Sequence, residues 1–63
     1  MRTLENLDFD DDWGRPVYKD VKTGELLVDV NCGICPDNPD IHTLCNGEPF
    51  MPVENFIITG AAL

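Results

Sequence analysis

All three cysteines and the only histidine of this 63-residue chain fall within fourteen positions, as Cys32-x2-Cys35-x6-His42-x2-Cys45. No other feature constrains the fold as much. A chain this short hides only about 60% of its unfolded surface, so its apolar core alone is marginal. At such sizes the shortfall is met by disulfides, a metal ion or a partner subunit. The odd number of cysteines separates these routes: one disulfide strands a free thiol, whereas three thiolates and one imidazole complete a tetrahedral zinc shell. Two residues between Cys32 and Cys35 let a tight turn aim both sulfurs at one ion, and Gly33 eases that turn. The expectation is one structural Zn2+ held by Cys32, Cys35, His42 and Cys45, with iron as the competing metal in a thiolate-rich site. Such a metal contributes folding free energy of the order of 10 kcal/mol, and its chelation unfolds the chain. The competing reading makes the cysteines small buried hydrophobes and His42 a core histidine.

Around this pattern, residues 31–52 hold Gly33, Pro36, Pro39, Gly47, Pro49 and Pro52, a density of breakers that forbids a long helix. Upstream, Pro16–Asp20 and Glu25–Val30 flank Val21-Lys22-Thr23-Gly24 and read as two strands joined by a glycine-containing turn, with Leu26, Val28 and Val30 on one face. Asn55–Thr59 is β-branched and aromatic and predicts a third strand closing on the hairpin. The expected fold is therefore a small metal-stabilised, mostly β domain spanning residues 1–63. It comprises a three-stranded antiparallel sheet, hairpin plus C-terminal strand, with an acidic N-terminal arm over 1–14 and a zinc-knuckle-like loop over 31–46.

The metal pattern excludes several functions. A zinc knuckle that grips single-stranded nucleic acid needs basic and aromatic side chains, and its histidine lies closer to the first cysteine pair; this loop carries Asp37 and Asp40 and no Lys or Arg. A catalytic zinc keeps a ligand position open, whereas here all four good donors are consumed. A nucleobase deaminase requires His-x-Glu, and His42 is followed by Thr43 and Leu44. The chain contains no serine and no phosphate-cradling glycine motif. Asp8, Asp10 and Asp12 alternate like the start of a calcium loop, but Trp13 stands where glycine is required and Lys19 where glutamate is. The expectation is a binding protein, not an enzyme.

Charge indicates what it binds. Four basic residues face twelve acidic ones, a net charge of −8, and every basic residue (Arg2, Arg15, Lys19, Lys22) precedes Thr23. That balance repels phosphate backbones and steers the chain toward basic partners. Met1–Asp12 lacks the basic start and apolar run of a secretory signal, and the apolar stretch Phe56–Leu63 is too short to span a bilayer. A cytoplasmic location with no membrane role is expected, in keeping with reduced thiols. Asp8, Asp10, Asp11, Asp12, Asp37 and Asp40 are the candidate electrostatic contacts, with Trp13 and Phe50 as apolar anchors.

The run Asp12-Trp13-Gly14-Arg15-Pro16-Val17-Tyr18-Lys19-Asp20, with Val28-Asp29-Val30-Asn31, Gly47-Glu48-Pro49 and Pro52, resembles small proteins and accessory domains carried by phages and conjugative elements of Firmicutes. In size, charge and metal pattern the chain also looks like a zinc-containing type II-A anti-CRISPR inhibitor. That second resemblance implies a monomeric inhibitor in the bacterial host cytosol. Its acidic surface would dock on the nucleic-acid-binding lobe of a CRISPR effector nuclease and block target DNA loading, without touching nucleic acid itself. The first resemblance implies an alternative, a zinc-stabilised protein-interaction module of a phage or conjugative element unrelated to CRISPR.

Overall fold

The computed structural model describes residues 1–35 and 37–59; Pro36 and the end of the apolar stretch Phe56–Leu63 beyond Thr59 lie outside the described residues. Among the described residues are six strands: β1 (Arg2–Asp10), β2 (Pro16–Asp20), β3 (Leu26–Asp29), β4 (Ile41–Cys45), β5 (Glu48–Pro52) and β6 (Phe56–Thr59). They form one sheet in the order β5-β4-β3-β2-β1-β6, antiparallel throughout except that β6 lies parallel to β1.

The expected hairpin is present as β2 and β3, with Val17 opposite Val28 and Tyr18 opposite Leu27. Gly24 adopts a φ of 79° in its turn, a conformation that L side chains rarely take. The three-stranded antiparallel sheet is corrected to a six-stranded mixed one. Where an acidic arm was expected, β1 forms, because Leu4 falls on the apolar face and pairing with β2 and β6 satisfies its backbone on both sides. Where a knuckle-like loop was expected, β4 and β5 extend the sheet through a two-residue turn at Asn46 and Gly47. Both turn residues have positive φ, the geometry that matches strand twist in tight hairpins. β5 tolerates Pro49 and Pro52 because it is an edge strand whose outer side needs no donors. The C-terminal strand closes on β1 and not on the hairpin.

Strand alternation divides the sheet into two faces. One carries Leu4, Tyr18, Leu27 and Ile41, all buried, with Val53, Phe56 and Ile58 packed against them. Leu27 therefore serves this core, while Leu26 and Val28 share the opposite face. Among the described residues no helix covers this face, and the extents of 23 × 21 × 18 Å are those of a rounded body. Asp29, 1% exposed, organises the connection from β3 to β4. Its carboxylate accepts hydrogen bonds from the backbone N–H groups of Asn31, Gly33 and Asp40 at 2.9, 3.2 and 3.0 Å. These three bonds hold together a connection in which no strand forms among the described residues.

Candidate partner-binding groove

On the face opposite the core, register places Val17, Val28, Leu26 and Leu44 side by side across β2, β3 and β4. They floor a groove of about 540 Å³. One wall comes from the end of β1 and the β1–β2 connection. A bulge between Asn6 and Asp10, with Asp8 at a φ of 63°, bends β1 so that Phe9 and Asp10 line the groove. Trp13 and Arg15 follow on the connection, and Gly47 and Glu48 of the β4–β5 turn close the far side. Phe9, Trp13 and Leu26 are 55%, 72% and 44% exposed, so three large apolar side chains stand open in one place.

The β1–β2 connection is a built feature. The Asp11 carboxylate accepts from the backbone N–H groups of Trp13 and Arg15, both at 2.9 Å, and from Arg15 Nε at 2.7 Å. Burial alone raises the Asp11 pKa, but the Arg15 backbone and guanidinium N–H groups and the Trp13 N–H outweigh it and hold the pKa below the ordinary carboxylate value. Asp11 is thus consumed in shaping the connection. The Arg15 guanidinium lies 6.0 Å from the centre of the Trp13 ring, within cation–π range, and its Nη2 is buried with no hydrogen-bond partner among the described residues. Asp10, Asp12 and Glu48 form no ion pair among the described residues and leave the rim negative.

The remaining candidate contacts disperse. Asp8 borders a smaller depression that shares Phe9 and Asp10 with the groove, while Asp37 borders a hollow of about 780 Å³ lined also by Glu54, Val53, Phe56, Ile57 and Ile58. Although larger, that hollow offers few exposed large apolar side chains. Asp40 Oδ1 lies 3.6 Å from His42 Nδ1, and Phe50 stands exposed on β5 away from the groove. Sequence reasoning missed Phe9, Leu26, Leu44 and Glu48. The Asn46-Gly47 pair was the available signal for the hairpin that brings Glu48 and Leu44 to the groove.

The four expected zinc ligands are not brought together. His42 and Cys45 lie three residues apart on β4, hence on opposite faces and separated by about 10 Å along the strand. Ligand atoms sharing one zinc each sit within about 2.3 Å of it. Cys32 and Cys35 project from the β3–β4 connection beside Asp29, at the end of β4 opposite Cys45, and all three thiols are exposed. Among the described residues no three His, Cys, Asp or Glu side chains converge as a metal site.

No protein-family model, curated protein or solved structure matches this chain. Among the described residues no helix is long and apolar enough to cross a membrane.

Proposed function

We propose that this chain is a binding protein whose groove takes a basic, apolar-tipped segment of a protein partner, acting by obstruction and not by catalysis. The observation that carries the proposal is the exposure of Phe9, Trp13 and Leu26 within one groove whose rim carboxylates, Asp10, Asp12 and Glu48, form no ion pair among the described residues. Aromatic anchors in a pocket supply most of the binding energy of protein interfaces. A rim of one sign accelerates and orients the encounter with the opposite sign. Three of the four basic side chains are already engaged, Arg2 with Asp20 and Glu25, Arg15 with Asp11, and Lys19 with Glu5. This argues against a nucleic-acid ligand and for a basic protein.

The partner we propose is the effector nuclease of a type II CRISPR system, which holds guide and target in a positively charged channel. An acidic protein seated in that channel blocks loading of target DNA with no chemical step. The test pairs capture of a purified effector with its cleavage of target DNA. The wild-type chain is expected to be captured and to stop cleavage. Trp13→Ala weakens capture by at least tenfold, and the triple variant Asp10→Lys, Asp12→Lys, Glu48→Lys abolishes it. Asp37→Lys with Glu54→Lys, in the separate hollow, leaves capture intact. Undiminished inhibition by the triple variant overturns the groove assignment, and no capture of the effector by the wild-type chain overturns the partner.

A further inference from the structure

We propose that Cys32 and Cys35 form half of a tetrathiolate zinc site that is completed by the same two cysteines of a second copy of this chain. The inference stands apart from the groove and starts from the mismatch at β4. With Ile41–Thr43 paired to β3 and Cys45 to Glu48 of β5, His42 and Cys45 face opposite sides of β4, and Cys45 lies at the far end of the strand from Cys32 and Cys35. What remains is a Cys-x2-Cys turn, the unit that presents two sulfurs to one tetrahedral ion.

This turn is held in shape from several sides. The Cys32 N–H donates to the Asp29 carbonyl at 3.1 Å, the Ile34 N–H to the Asn31 carbonyl at 3.0 Å, and the Asn38 N–H to the Cys35 carbonyl at 2.9 Å. The Gly33 N–H donates to the buried Asp29 carboxylate. Cys32 and Gly33 both adopt positive φ, at 56° and 75°, so the chain reverses between the two thiols. Both thiols are exposed, and among the described residues no third donor joins them. A zinc bound there lacks two of its four ligands.

A second copy supplies them by symmetry. In a two-fold arrangement each chain contributes an identical pair of thiolates, and the interface closes on itself without forming a chain of contacts. Ile34, between the two cysteines, is 79% exposed and is left uncovered among the described residues. Across a two-fold axis through the metal it meets its own counterpart and buries an apolar surface beside the ion. Each copy carries a net charge of −8, so two metal-free chains repel. Loading four thiolates with one dication does not relieve that repulsion, so association depends on the metal–sulfur bonds themselves and is lost without the metal. Each thiol surrenders its proton to solvent as its sulfur takes the metal, and no oxidation is involved.

The test uses the full chain under reducing conditions with Zn2+ or Co2+ alone, read by native mass spectrometry and by the visible spectrum of the cobalt form. The expected result is a doubling of mass on metal addition, with one zinc per two chains, reversed by a chelator, and a tetrathiolate cobalt spectrum. Cys32→Ser and Cys35→Ser each abolish both, while circular dichroism shows the sheet retained, since neither thiol is buried. Cys45→Ser and His42→Ala keep both. One zinc per monomer that depends on His42 and Cys45 overturns the proposal. So does undiminished zinc uptake by the Cys32→Ser chain, or failure of the wild-type chain to retain either metal.

Discussion

Asp20 is nearly buried and ties three parts of the molecule together. It accepts hydrogen bonds from the Lys22 and Thr23 backbone N–H groups, which shape the β2–β3 turn, and from the Arg2 guanidinium at the start of β1. The Lys22 N–H leads in lowering its pKa below the ordinary value of 3.8; burial opposes, and the Thr23 N–H and Arg2 reinforce the lowering. A carboxylate whose folded-state pKa is depressed contributes stability that is fully present above the unfolded value and lost as pH falls through the folded one. Asp11 acts in the same direction. Thermal melting followed against pH should therefore be insensitive to Asp20 ionisation above about pH 5 and fall steeply below about pH 4. Asp20→Asn is expected to lower the melting temperature at neutral pH and to flatten that acid slope. An unchanged slope in the variant assigns the acid sensitivity to other carboxylates. None of this was legible in the sequence, where Asp20 is one of twelve acids and nothing marks it as buried. Asp29 is a like case, since its three backbone donors exist only once β3 and β4 have paired.

At the scale of elements, what could be read depended on how local each strand's determinants are. The β2–β3 hairpin was legible because β-branched alternation and Gly24 reside in a single short segment. β1 was not, since Asp and Glu are poor strand formers and its ladder partners lie in β2 and β6, the latter more than fifty residues away. β4 was hidden by its own composition, because two residues that alternate across a strand also have the spacing of metal ligands. Leu4, fully buried, is where β1 enters the core, flanked by Ile58 of β6. Leu4→Ala should cost about 2–5 kcal/mol. The total stability expected of a domain this size is roughly 3–9 kcal/mol. Urea unfolding of the variant should show a midpoint reduced by about a fifth or more, with partial unfolding in buffer if the larger cost applies. A midpoint within error of wild type means that β1 is not integral to the core.

At the scale of the whole molecule, size and screening length are comparable. The longest dimension is 23 Å, whereas electrostatic interactions reach about 30 Å at 0.01 M salt and about 8 Å at 0.15 M. At low salt each uncompensated carboxylate therefore repels every other across the body, and at physiological salt only its neighbours. Raising salt over this range should increase the melting temperature, by about 4–8 °C for each 1 kcal/mol of repulsion removed. Partner capture through the acidic groove should weaken over the same range. The opposite signs separate self-repulsion from recognition, and a melting temperature that falls with salt assigns net stabilisation to the ion pairs of Arg2, Arg15 and Lys19. The pairing of β1 with β6 also bears on how the chain is made. During synthesis the ribosome releases β1 first and β6 after the other five strands, so β1 waits with one edge unpaired until residue 59 has emerged. The core around Leu4 can close only once Ile58 has joined β1, a contact between residues more than fifty positions apart, which places its closure among the late, slow steps of folding.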